Sequence, residues 1–126
     1  MFLGLRTVIY PAPDLAAATA WWTALLGFGP YFEEPFYVGF EVGGYELGLD
    51  PNLDPADGAT TYWGVADLDA AAATITDAGA TVRSPIAEVG DSIRVATFTD
   101  PSGSVVGLIE NPHFAAAAAE GPGPGR

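Results

Sequence analysis

Residues 60–68, TTYWGVADL, say again what residues 7–15, TVIYPAPDL, have already said. Both stretches open on threonine, alternate small and apolar residues, and close on Asp-Leu. Each then runs into alanines, Ala16-Ala17-Ala18 or Ala70-Ala71-Ala72-Ala73, and each alanine-rich segment closes on a glycine, Gly27 or Gly79. A repeat of this length sets the unit from which a fold is built, so it outranks local signals.

Working outward from the first copy, residues 5–12 read as a strand that stops at Pro11 and Pro13, since proline suits strand ends and edges. Asp14 is placed as an N-cap. Ala18, Trp21, Trp22, Leu25 and Leu26 then recur at helical spacing, and Gly27 closes the helix. Residues 28–32, 36–42 and 45–50 read as strands; Glu33-Glu34 reads as a solvated turn and Gly43-Gly44 as a hairpin turn. PNLDPADGA (51–59) is a polar linker. The second copy gives a strand over 60–65, a helix over 68–78 capped by Asp67 and Gly79, a short strand over 81–84 and a loop over 85–91. Strands over 92–99 and 104–110 follow, joined by the DPSG turn. The order strand, helix, strand, strand, strand occurs twice. The expected class is α+β, with one βαβββ module over 1–52 and another over 53–114. The Ala/Gly/Pro tail over 115–126 is expected to be disordered.

With 49% hydrophobic residues the chain can bury a core. It has no cysteine and no lysine, and 16 carboxylates face four arginines for a net charge of −12. Nucleic-acid binding needs a basic footprint and is not expected. A cationic ligand would be attracted. No apolar run reaches the roughly 18 residues of a membrane span. The first residues, MFLGLRTVIYPAPD, lack the pattern of a signal peptide. The expectation is a soluble cytoplasmic protein with a small-molecule partner.

Paired modules with Asp-Leu at each helix start, an LLGF helix exit and a late DPSGS turn resemble the vicinal oxygen chelate superfamily over residues 5–114. That group includes glyoxalase I, extradiol dioxygenases, fosfomycin-resistance enzymes and bleomycin-binding proteins. The resemblance implies a curled mixed sheet around a central cleft, often completed in a homodimer. It also implies where a divalent metal would be held: seven residues before each Asp, and eighth in a run like DPSGSVVGL. Those positions are Thr7, Thr60 and Gly107, with either Glu46 or Gly48 as the fourth. A transition ion wants at least three strong donors, so no metal and no other cofactor is expected at these positions. A displaced site through Glu41, Glu46 and Asp50 is the alternative. The lone histidine, His113, reads as a packing or surface residue.

If both threonines face the cleft, alternation along the strands places Thr7, Ile9, Thr60, Tyr62, Gly64, Glu46, Gly48, Val105, Gly107 and Ile109 there too. Arg94 shares a face with Ala96 and Phe98, on a side that alternation leaves open. The glycines either enlarge a pocket or relieve crowding. Trp21 and Trp22 are expected in the core or at the module interface. Tyr31, Phe32, Phe36, Tyr37 and Phe40 are divided between core and cleft mouth or dimer surface. Two functions follow: a metal-free cleft that binds a small aromatic or cationic molecule, or a glyoxalase-like enzyme of lyase, isomerase or dioxygenase type. The enzyme would use Glu46 as base in apolar surroundings, or a displaced metal. A subunit with a purely regulatory role is a third.

Overall fold

The two Asp-Leu motifs start the two helices. In a computed structural model of the chain, residues 1–114 are described. The tail expected over 115–126 lies outside the described residues. Helix α1 spans Leu15–Leu26; the Asp14 side chain accepts from the Ala17 amide at 3.0 Å, and Gly27 closes the helix at φ 87°. Helix α2 spans Leu68–Asp77, with Asp67 accepting from the Ala70 amide at 3.0 Å. Each aspartate satisfies one of the orphan donors of a first turn.

Among the described residues there are eight strands: β1 (Phe2–Pro11), β2 (Phe32–Glu34), β3 (Tyr37–Val42), β4 (Tyr45–Asp50), β5 (Thr60–Val65), β6 (Thr81–Glu88), β7 (Arg94–Thr99) and β8 (Val105–Glu110). Two compact units form. One is Thr7–Thr60, with strand order β2-β3-β4-β1. The other joins Met1–Arg6 to the described residues from Thr61 onward, with order β5-β8-β7-β6. In each, the strand before the helix runs parallel to the last strand of the module, β1 with β4 and β5 with β8. Within the units, β2–β3, β3–β4, β6–β7 and β7–β8 are antiparallel. This is an α+β fold of tandem βαβββ modules with mixed sheet.

Compactness divides the chain differently from the repeat, because β1 begins three residues earlier than the pattern indicates. Phe2 reaches Trp63, ring centroids 5.1 Å apart, and buried Arg6 lies over Gly64. The helix-facing side of each sheet forms the core. In the first unit Ala12, Val38, Phe40 and Leu49 are buried against Leu15, Ala18, Trp22 and Leu26 of α1. In the second, Val65, Ala96, Phe98 and Leu108 pack with Leu68 and Ala71 of α2.

Three local expectations are corrected. Glu33-Glu34 belongs to β2, not to a turn: a backbone ladder to Val38 and Tyr37 holds them as an exposed strand whatever their side chains prefer. β6 runs through Pro85, where a loop was expected. It ends the strand order and its pairing shifts register at Val82/Ser84 and Ser84/Ala87, which is where a proline can be accommodated. Trp21 is 60% exposed and only touches Trp22 edge-on at 4.9 Å; Trp22 alone enters the core.

Candidate functional site

Glu46 is the second residue of β4 and lies on the face away from α1. The register brings its neighbours to it: Thr7 of β1 and Glu41 of β3 are its pairing partners, and Gly39 pairs with Gly48. The Thr7 hydroxyl donates to Oε1 at 3.2 Å, and Thr7 is only 4% exposed. Oε2 accepts two phenols, Tyr31 at 2.8 Å and Tyr37 at 3.1 Å. A carboxylate offers about four lone-pair directions. With three filled, the fourth lies on Oε1. Apolar surroundings were expected for this acid, and three O–H donors are found instead. The Tyr31 hydroxyl is pushed above the ordinary phenol range, first by burial and then by the hydrogen bond and charge of Glu46. The residue as a whole is 63% exposed, so the desolvated part is the hydroxyl end and the ring edge that lies over Gly39.

The structure distributes the expected site residues into two groups, one in each unit. Thr7, Ile9, Glu46 and Gly48 share the open face of the first, through the pairs Thr7–Glu46 and Ile9–Gly48. Tyr62, Gly64, Val105, Gly107 and Ile109 share the open face of the second, through the pairs Tyr62–Gly107 and Gly64–Ile109. Thr60 falls on the Tyr62 side of β5 by alternation. Arg94 lies elsewhere. Its neighbours along β7, Ala96 and Phe98, are core residues, so it points to the helix side. There it donates to Asp69 at 3.1 Å and Glu110 at 3.4 Å. Glu110 in turn accepts from the Leu68 amide at the start of α2. Arg94 braces a helix start.

The register also decides between Glu46 and Gly48. Ile9 pairs with Gly48, and Tyr62, which holds the same place in the second copy, with Gly107. Glu46 therefore corresponds to Val105, and Gly48 to Gly107. The four positions at which the resemblance places metal donors are Thr7, Gly48, Thr60 and Gly107, and no charged ligand is among them. Nor do Glu41, Glu46 and Asp50 converge. Glu41 accepts from the Gly44 amide at 2.7 Å and Asp50 from the Asn52 amide at 2.8 Å. Among the described residues no group of three or more His, Cys, Asp or Glu could hold a metal ion. The donor set does not fit a transition metal.

The glycines do not open space. A Cβ on Gly48 would run into the Tyr37 hydroxyl, and one on Gly107 would meet the Tyr62 ring at 2.5 Å. One on Gly39 would lie 2.6 Å from Glu46 Oε2 and 3.1 Å from the Tyr31 ring. These are seats for the chain's own aromatic rings. Tyr31 and Tyr37 are the residues that sequence reasoning missed as partners of Glu46. The signal was present in Gly39 and Gly48, small residues flanking an acid in neighbouring strands, but reading it needs the β3–β4 register. An open groove of about 420 Å³ lies on the other face, between Tyr10, Trp22, Leu49 and Ala59. Tyr10 stacks on Trp22 there, centroids 5.8 Å apart, and no titratable carboxylate lines it.

A family model described as Glyoxalase/Bleomycin resistance protein/Dioxygenase superfamily matches residues 4–108. No curated protein matches. Among solved structures, Streptomyces coelicolor methylmalonyl-CoA epimerase in complex with 2-nitronate-propionyl-CoA is 21% identical, with TM-score 0.73 over 89% of this chain and 99% of that one. Methylmalonyl-CoA epimerase from Mycobacterium tuberculosis is 23% identical, with TM-score 0.67 over 90% and 91%. A Legionella pneumophila protein described as NAD-dependent benzaldehyde dehydrogenase is 19% identical, with TM-score 0.68 over 83% and 97%. Likeness at this level speaks to the fold.

Proposed function

Because the chain belongs to the Glyoxalase/Bleomycin resistance protein/Dioxygenase superfamily, we propose that it is an enzyme of the isomerase or lyase type with Glu46 as general base. One observation carries the reading: a single carboxylate is oriented by three hydroxyls and keeps one lone-pair direction open, on Oε1. A substrate C–H beside a carbonyl would give its proton to Oε1. The electron pair would stay on carbon, delocalised into the carbonyl. Return of the proton to the same or a neighbouring carbon gives an isomerase; departure of a β-substituent gives a lyase. Tyr31 and Tyr37 hold Oε2 still, which keeps the base in one geometry. Thr7 and Ile9 are carried forward as ligand-facing with it, and Tyr62 and Ile109 on the strength of the repeat, whereas Gly48 and Gly107 serve as seats for Tyr37 and Tyr62. No step passes through a metal.

The test is proton exchange. The two epimerases among the structural neighbours make 2-substituted acyl thioesters the first panel, with 2-hydroxy ketones second. In D₂O the α-proton signal should vanish with wild type. Glu46→Gln should slow this by at least about 10²-fold while binding persists. Exchange at an unchanged rate in Glu46→Gln removes Glu46 from the role. Binding without turnover is the second reading, favoured by the rings exposed beside Glu46. It predicts a ligand-dependent rise in melting temperature with no exchange anywhere in the panel. Either reading includes a homodimer in the cytoplasm. Exposed Trp21, Leu25 and Phe28 support association, and among the described residues no helix is long and apolar enough to cross a membrane.

A further inference from the structure

The open face of the first unit is unusual in both its rings and its charge. Tyr31, Phe32, Phe36 and Tyr37 form a connected set with Phe32 at its centre: its ring lies 6.5 Å from Tyr31, 6.2 Å from Phe36 and 6.2 Å from Tyr37. The ring planes cross at 52°, 65° and 55°, so faces as well as edges are presented. Phe36 is 59% exposed. On the same face, by register and alternation, stand Glu34, Glu41, Glu46 and Asp50. Residues 7–60 contain no lysine, arginine or histidine at all. Every formal charge in this unit is therefore negative.

We propose that the ring set centred on Phe32 is a recognition site for an organic cation, a quaternary or protonated amine carried by the small molecule that Glu46 serves. The rings present their negative faces to the cation, and the carboxylates on this face, Glu34, Glu41, Glu46 and Asp50, add long-range attraction. An anionic or neutral ligand gains nothing from these charges. A metal ion is not the occupant, since the acids are turned to separate partners. The site takes its place beside the reacting group from the Glu46 reading, but the binding itself needs no chemistry.

Choline and its neutral isostere 3,3-dimethylbutan-1-ol separate charge from shape. Titrated into the full chain and followed by amide NMR shifts, choline should bind saturably, with a dissociation constant on the order of millimolar. The isostere should bind roughly tenfold more weakly or not at all. Phe36→Ala, at an exposed position that carries little of the fold, should weaken choline by about fivefold, and Phe36→Tyr should restore it. Equal binding of the two probes overturns the proposal, as does choline binding that Phe36→Ala leaves untouched. Loss of a dimer in Phe36→Ala, with no change in the choline titration, assigns the rings to a second copy and overturns it too. Choline binding retained in a Glu46→Gln protein that still exchanges α-protons sinks the base while sparing the cation site. Exchange lost in Glu46→Gln with no choline binding to wild type does the reverse.

Discussion

Gly48 and Gly107 hold the same place in the two modules, and each lies under a tyrosine. Alanine there has no backbone objection, only a steric one, so each position tests the ring above it. Gly107→Ala should cost about 1–3 kcal/mol, read as a lower denaturant midpoint at unchanged slope. Gly48→Ala should cost a similar amount, about 1–3 kcal/mol, and Tyr37→Ala in the same chain should recover most of it. Additive losses in that double variant would mean that Tyr37 is not what fills the space. Tyr31 gives a residue-scale test in pH. Its hydroxyl is held above the ordinary phenol value of about 10, so the folded state keeps its proton longer than the unfolded chain does. The resulting stability is present below that value and is lost as pH rises through the folded one. Wild type should therefore lose stability above pH 10 more steeply than Tyr31→Phe, in melts taken across the alkaline range.

The helices were legible because their signals are local. Asp14 and Asp67 each sit one residue ahead of a leucine that starts a helix, and a cap needs only the next three residues. Asp67→Ala should cost about 1 kcal/mol, measured by chemical denaturation, with Asp67→Asn costing much less. β6 was not legible past Ser84, because Pro85 reads as a stop unless its strand is known to lie at an edge. β2 was misplaced for a related reason: Glu33 and Glu34 carry no strand propensity, and only the ladder to β3 makes them one. The face of Glu46 could be read from alternation, but the phenols on it could not. Their contacts depend on which residue of β3 lies beside which residue of β4, and no periodicity within one strand contains that.

At the scale of the molecule, the duplicated pattern named the fold, and charge asymmetry pointed to a kind of ligand. Four arginines are divided unevenly: none falls in residues 7–60, which hold half of the 16 carboxylates. Self-repulsion in that unit should be relieved by salt, so the thermal midpoint should rise by a few degrees between about 10 mM and 0.5 M NaCl. A flat response would mean that the carboxylates are too far apart to repel. Donor positions filled by glycine and threonine also predict that zinc, nickel and manganese leave the melting temperature unmoved at concentrations that would saturate a three-ligand site. β1 brings one last consequence. Its opening five residues, 2–6, build one compact unit and its closing five build the other. A gene cut at the polar linker would yield two pieces, and the later one would be born without Phe2 to shelter Trp63 or Arg6 to lie on Gly64. Supplying residues 1–6 as a separate peptide should restore it, since the strand that opens the chain completes the unit that closes it.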